Sequence, residues 1–270
     1  MPEPLYRQVA ARLRRRIAAG EWEAGKQLPS EPTLAYQENA SRNTIRLAIA
    51  LLTNEGLVES RQGRGTYIRE RASFVVELSR EEGALPGDGK DAFIAAVTKH
   101  GRDPAQRDFR MEIRTAPPEV AARLQIDEGA DVVVRSVNRL IDKRPWSLQE
   151  SFYPMAVAIG TRLMSAQNIS DGTIAEMSRH GHIQTGYRDE IVARVPTHAE
   201  AAFLEIGGGV PVVELFRTAY SNERPIRLTI TVYAGDSTVL AYDLGGLWAH
   251  GAGEGRNGDV AISDSDSAAQ

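Results

Sequence analysis

Between residues 28 and 46 the chain reads Leu28-Pro29-Ser30-Glu31-Pro32-Thr33-Leu34-Ala35-Tyr36-Gln37-Glu38-Asn39-Ala40-Ser41-Arg42-Asn43-Thr44-Ile45-Arg46, with two helix starts eleven residues apart. Ser30 is a natural N-cap, because its hydroxyl accepts an amide hydrogen that the first helical turn leaves unsatisfied, and Glu31 adds negative charge at the positive end of the helix dipole. A short helix carrying Leu34, Ala35 and Tyr36 on its apolar side is expected here. After a tight connection at Asn39-Ala40, Ser41 caps a longer helix with Ile45, Ala48, Ile49 and Leu52 at helical spacing, ending near Asn54-Glu55-Gly56. Arg42, Asn43 and Arg46 stand off that apolar stripe, with Thr44 beside them.

Working outward, Tyr6, Val9, Leu13 and Ile17 recur at helical spacing and Arg7, Arg12, Arg14, Arg15 and Arg16 fill the other positions, an amphipathic helix with a basic outer side. Downstream, Leu57–Ser60 and Thr66–Arg69 read as two strands around Arg61-Gln62-Gly63-Arg64-Gly65. Such an order is a winged helix-turn-helix. The N-terminal end of its third helix is the part that enters a DNA major groove, where Arg offers two hydrogen bonds to a guanine edge and Asn pairs with adenine. Glycines in the wing let the backbone approach the sugar-phosphate surface, and Arg61 and Arg64 bring charge to it. Residues 1–70 hold eleven Lys and Arg against eight Asp and Glu, whereas the other 200 residues hold 21 against 28. Positive charge is thus concentrated at one end, as phosphate contact requires.

With 270 residues the chain has material for two modest cores. Hydrophobic content of 42% and charged content of 25% are those of a globular protein, and no apolar run approaches the ~20 residues of a membrane-spanning helix. Met1–Arg16 carries charges where an export signal has its apolar core. There is no cysteine, which excludes disulfides, thiolate metal sites and a cysteine nucleophile and fits a reducing compartment. A cytoplasmic location is expected. His100, His180, His182, His198 and His250 are scattered without zinc spacing, so no metal, cofactor or catalytic constellation is expected.

Residues 71–105, with the Gly, Pro and acid cluster Glu81–Gly89, read as a connection in which Asp91–Lys99 forms a short helix. Beyond it the chain repeats itself at a shift of 80 positions. Eleven of the 33 residues from 121 to 153 are identical to those from 201 to 233, including Arg144-Pro145 over Arg224-Pro225 and Tyr153 over Tyr233. Each copy reads as helix, strand, turn, strand, and two copies pairing their strands predict one antiparallel sheet with helices packed on it. The fold class is therefore α+β. Expected boundaries are 1–70 for the winged helix-turn-helix, 71–105 for the linker, 106–245 for the sheet domain and 246–270 for a disordered tail. Gly207-Gly208-Gly209 reads as a turn before Pro211, because no Walker lysine follows it.

The N-terminal set resembles the GntR family of bacterial regulators, through Leu28-Pro29-Ser30-Glu31, Ser41-Arg42-Asn43-Thr44-Ile45-Arg46 and Gly63-Arg64-Gly65-Thr66-Tyr67-Ile68. That resemblance implies DNA contacts at Arg42, Asn43, Thr44, Arg46, Gly63, Arg64 and Gly65. Many family members carry Arg or another polar residue that helps hold or read DNA where this chain has Pro32, a residue tolerated in a helix's first turn. Residues 106–245 resemble the UTRA domain of the HutC branch, similar in fold to chorismate lyase, through Ala116–Ala121, Pro145–Pro154, Gly186–Glu190 and Arg217–Tyr220. The resemblance implies a transcriptional repressor on an inverted-repeat operator, a homodimer formed through 106–245, and a small polar metabolite as effector. Candidate effector contacts are Arg139, Gln149, Ser151, Tyr187, Arg188, Arg217, Thr229, Thr231 and Tyr233. Sugar-phosphate-sensing members tend to be acidic near position 149, where this chain has Gln149. Two other readings stand beside this one: a ligand-independent repressor of a mobile element, and a lyase-like enzyme using the same pocket.

Overall fold

The computed structural model describes residues 3–61, 63–70, 74–78, 91–222 and 224–242. The expected tail and the Glu81–Gly89 cluster lie outside the described residues. No helix among those described is long and apolar enough to cross a membrane.

Three helices, α1 (Leu5–Ala18), α2 (Glu31–Gln37) and α3 (Arg42–Asn54), precede an antiparallel hairpin of β1 (Val58–Arg61) and β2 (Gly65–Ile68). Their buried core contains Val9, Leu13, Leu34, Ile45, Ala48, Leu52, Val58 and Ile68. Ser30 accepts the Thr33 amide and Ser41 the Thr44 amide, so both expected caps form. Three of the five arginines on the basic side of α1 are engaged within the unit, and Arg7 and Arg15 are exposed. Arg12 and Arg16 hold the buried carboxylate of Glu38 at 2.7 and 3.0 Å, and Arg14 holds Glu55 at 2.6 Å, tying α1 to the ends of α2 and α3. Tyr36 departs from expectation: it is 89% exposed rather than on the apolar side. A helix of seven residues makes only two turns, and Leu34 alone is buried from it.

The rest of the described chain builds a six-stranded antiparallel sheet in the order β4-β5-β6-β9-β8-β7. Its strands are β4 (Pro104–Thr115), β5 (Asp131–Ile141), β6 (Arg144–Pro154), β7 (Gly186–Arg194), β8 (Val212–Tyr220) and β9 (Pro225–Ala234). The sequence repeat is a structural one, and each copy gains a leading strand: β4, α5 (Pro118–Leu124), β5 and β6 correspond to β7, α8 (His198–Leu204), β8 and β9. Both helices end on a left-handed residue at matching positions, Gln125 with φ 52° and Glu205 with φ 54°. β6 and β9 join the copies. Glu150 pairs with Ile230, its own counterpart at the 80-residue shift, so a pseudo-two-fold axis passes between them.

Side chains alternate across the sheet. On one face α5 buries Val120, Ala121 and Leu124 against Val132, Val134, Phe152, Phe216 and Leu228, while α8 buries Leu204 against Leu148, Val212 and Val232. Each cluster draws on both copies. Three further helices, α4 (Ala92–Lys99), α6 (Met155–Ala158) and α7 (Thr173–Arg179), lie outside the repeat. The opposite face carries two separate apolar clusters. One gathers Val133, Tyr153, Val157, Leu163, Met177 and Ile226. The other gathers Phe74, Val76, Phe93, Val97, Trp146, Leu215 and Tyr233. Here the structure differs from the expected linker. Phe74–Glu77 is a strand, β3, paired in parallel with β10 (Thr238–Ala241), and both β3 and α4 bury apolar side chains on the sheet. Alternating Phe74 and Val76 are the reason, since that two-residue period gives a short strand one buried side.

Arg194 of β7 locks α8 in place by pairing with Glu200 at 2.7 Å and Glu214 at 2.9 Å, and Thr197 and Glu200 close a capping box. Hydrogen bonds from Arg194 hold the Glu200 carboxyl at about 2, down from an ordinary 4.5, against the opposing effect of its burial. A depressed carboxylate contributes stability that is fully present above pH 4.5 and is lost as pH falls toward about 2. In calorimetry across the acid range, Glu200→Gln is expected to lower the melting temperature at neutral pH and to flatten its decline in that window.

Candidate nucleic-acid interface and ligand pocket

Opposite the buried stripe of α3 runs an exposed one formed by Asn43, Arg46, Leu47 and Ala50, with Arg42 exposed beside it at the helix start. Arg46 Nε donates to Glu31 of α2 at 2.8 Å in an exposed pair. Such a pair contributes little in water, and it holds the guanidinium over the outward face. Thr44 lies differently from the other expected contacts: it is half-buried, its amide is donated to Ser41 Oγ, and its hydroxyl lies 2.8 Å from the same oxygen. Leu47, 47% exposed on the outward stripe, was not among the sequence candidates. Its position four residues after Asn43 is the signal that points to it.

In the hairpin, Gly63 has φ 69° and Gly65 has φ 106°, conformations that favour glycine. Gln27 Nε2 and Tyr67 OH both donate to the Arg64 carbonyl, at 2.8 and 3.2 Å, which fixes the loop from below. A Cβ on Gly65 would stand 2.5 Å from Gln27 Nε2. Arg61 lies over the Tyr67 ring at 4.2 Å and pairs with Glu59, while Arg64 is exposed at the tip.

The second candidate set converges, largely buried, between the two apolar clusters of the sheet face opposite α5 and α8. Strand register aligns Arg135, Ser151, Thr229, Arg217 and Asp189 in one cross-strand row, and Val137, Gln149, Thr231 and Leu215 in the next. Ser151 Oγ lies 3.1 Å from Thr229 Oγ1, and Gln149 Nε2 donates to Ser151 Oγ at 3.3 Å. By the 80-residue shift Gln149 corresponds to Thr229 and Ser151 to Thr231, so the pseudo-axis runs through the middle of this polar band. Arg217, 3% exposed, donates to both oxygens of Asp189 at 2.7 Å. Arg217 and Tyr187 also donate to the carbonyl of Leu78, just after β3.

Two of the expected contacts sit elsewhere. Arg188 is displaced by strand alternation to the opposite face, where it is 70% exposed and pairs with Glu190. Tyr233 is buried among Trp146, Phe74 and Leu215 and closes one end of the band as core. Three residues absent from the sequence candidates belong to the band. Asp189 holds Arg217, and Tyr242 OH donates to Asp189 at 2.6 Å. Burial and the Asp189 carboxylate push the Tyr242 hydroxyl well above its ordinary value, so it stays protonated as a donor. Arg135 donates to the carbonyls of Leu163, Ser165 and Gln167. Burial lowers its guanidinium from the usual range. No spacing rule in the sequence links Arg135 to the loop 163–167, or Tyr242 to β7.

Arg139 lies over the Phe93 ring at 4.7 Å, and its buried Nε has no hydrogen-bond partner among the described residues. Asp189 is matched by Arg217, which leaves Arg135 and Arg139 without a carboxylate partner among the described residues. The band therefore carries net positive charge.

A helix-turn-helix whose third helix presents arginine and asparagine beside a glycine wing, joined to a two-copy sheet with a polar band, defines a DNA-binding regulator with a separate C-terminal domain. Residues 5–68 match the family of bacterial regulatory proteins named gntR, and residues 99–238 match the UTRA domain. An uncharacterised HTH-type transcriptional regulator of Streptomyces coelicolor is 31% identical over 256 residues, covering 89% of this chain and 92% of that protein. The HTH-type transcriptional repressor NagR of Bacillus subtilis is 27% identical over 237 residues, covering 87% and 92%. A crystal structure of a GntR-family transcriptional regulator superposes with a TM-score of 0.61 at 25% identity, covering 90% of this chain and 98% of the other. The chain belongs to the GntR family, in the HutC branch that couples a DNA-binding unit to a UTRA effector domain.

Arg46→Ala is expected to weaken binding to an operator selected from random DNA by about 1–3 kcal/mol and to relax the preference at one position. Arg64→Ala should weaken all sequences alike and reduce the salt slope by about one. Anisotropy titrations on operator and scrambled duplexes over a salt series separate the two effects.

Proposed function

We propose that this regulator is a repressor released from its operator by a small anionic metabolite bound on the polar band. The observation that carries this reading is Arg139, a guanidinium held over Phe93 with a buried Nε that has no hydrogen-bond partner among the described residues, one row from Gln149 and Thr231 and two rows from Ser151 and Thr229. A buried donor without a partner costs on the order of 1–3 kcal/mol, which a carboxylate or phosphate oxygen would offset. Arg217 and Tyr187 would orient the ligand's other end, with Gln149, Ser151, Thr229 and Thr231 between.

Arg42, Asn43 and Arg46 read bases in this proposal, Thr44 supports the helix cap, and Gly63, Arg64 and Gly65 meet the phosphate backbone. Two chains associate through residues 106–245 and set their recognition helices about one helical turn apart on an inverted repeat. Residues 1–70 are then the DNA-reading unit, and 71–105 join it to the sheet and supply β3 and α4. The protein acts in the cytoplasm, by binding and not by catalysis. Effector lowers operator affinity by favouring the conformer whose two helices are misplaced.

A thermal-shift screen with sugar phosphates, amino acids and nucleotides tests the reading. Anionic members should raise the melting temperature and weaken operator binding, and Arg139→Met should reduce their affinity about tenfold or more while sparing DNA binding. Binding restricted to uncharged compounds contradicts the anion reading, the absence of any hit favours a ligand-independent repressor, and turnover of a hit favours a lyase-like enzyme.

A further inference from the structure

The turn Gly207-Gly208-Gly209, between α8 and β8, lies against the C-terminal end of the recognition helix. The Gly209 amide donates to the Asn54 carbonyl at 3.1 Å, and a carbonyl in the last helical turn is one that has no donor within its own helix. A Cβ on Gly207 would stand 2.3 Å from the Thr53 carbonyl oxygen and 2.8 Å from Asn54 Cα, and one on Gly209 would stand 2.7 Å from the Asn54 carbonyl oxygen. None of the three glycines takes a positive φ. Close approach, not turn geometry, is what excludes side chains at 207 and 209. Just past the helix, a Cβ on Gly56 would stand 2.5 Å from Val210 Cγ2. Arg69, following β2, pairs with Asp236, following β9, at 3.5 Å with both side chains largely buried.

The first copy of the repeat supplies an internal comparison. Its equivalent turn is Asp127-Glu128-Gly129, closed by an Ala130 amide bond to Asp127 just as Val210 closes on Gly207. Asp127 and Glu128 are exposed, and a Cβ on Gly129 would meet nothing within 4 Å. The copies thus exchange two acidic residues for two glycines at the turn that meets α3. A carboxylate at 207 would crowd the helix end, and carboxylates at 207 and 208 would both face the negative pole of its dipole.

We propose that Gly207, Gly209 and the Arg69–Asp236 pair form a joint that fixes the direction of the recognition helix relative to the sheet, which makes the two glycines positioning residues for DNA binding. The strands that start and end at this joint, β8 and β9, are those carrying Arg217, Thr229 and Thr231. A shift of either strand therefore reaches the helix through packed backbone.

Because the chain contains no cysteine, spin labels at Arg15→Cys and Glu128→Cys, in full-length protein mixed with a large excess of unlabelled chain so that no dimer carries two labelled protomers, report the distance between the DNA-binding unit and the sheet within one chain. One narrow distance is expected in the otherwise unaltered chain. Gly207→Asp restores the first-copy residue at a turn position that favours Asp. It should broaden or shift the distance and lower operator affinity by on the order of tenfold, while far-UV circular dichroism and the base preferences at each operator position stay unchanged. Asp236→Ala, which breaks only the ion pair, should act in the same direction more weakly and carries the test should Gly207→Asp fail to fold. A broad distribution in the unaltered chain overturns the joint. So does a Gly207→Asp or Asp236→Ala protein that keeps its fold and both the original distance and the original affinity, or that moves the distance without changing affinity.

Discussion

The antiparallel pairing of β6 with β9, with Glu150 opposite Ile230, is the contact on which the effector half depends. Sheet register has a period of two, so this single alignment sets the face of every side chain on the two central strands. It directs Phe152 and Leu228 to the helix-covered face and Gln149, Ser151, Thr229 and Thr231 to the other. A slip of one residue would bury the polar set under α5 and α8 and turn the apolar set toward the band. Because the pairing is centred on a residue and its own counterpart, one sequence pattern written twice makes a polar band with matched halves.

Symmetry supplies the frame, and the departures from it supply chemistry. Arg217 corresponds to Val137, and Arg139 to Ala219, so the charged groups of the band are not duplicated. The first copy's turn is acidic and exposed where the second copy's is bare backbone against Asn54. An exact two-fold would give two equal pockets and two equal turns. The observed chain has one charged band and one turn docked on the DNA-binding unit.

The DNA-binding unit rests on a different balance. Its apolar core is small, and Arg12, Arg14 and Arg16 tie α1 to Glu38 and Glu55 around that core. Three of the five arginines of α1 thus hold the three helices together, while Arg7 and Arg15 stay exposed beside the outward groups of α3 and the wing tip. Net positive charge in this part of the sequence is consequently a poor guide to which arginines face a duplex.

Local signals determined a good deal. Ser30 and Ser41 marked helix starts because a cap acts within three residues of itself, and the period of α3 placed Asn43 and Arg46 opposite Ile45 and Leu52 for the same short-range reason. Eleven gapless identities at a shift of 80 positions were enough to infer one sheet from two copies. Tertiary structure alone decided what depends on distant partners. The parity of Arg188 within β7 follows from pairing with β8, the burial of Phe74 and Val76 follows from sheet residues that begin at Ile141, and Tyr242 meets Asp189 across 53 positions. Gly207 to Gly209 are the clearest case, since a glycine kept for space is locally indistinguishable from one kept for a turn, and the space is defined by the end of a helix about 150 residues earlier in the chain.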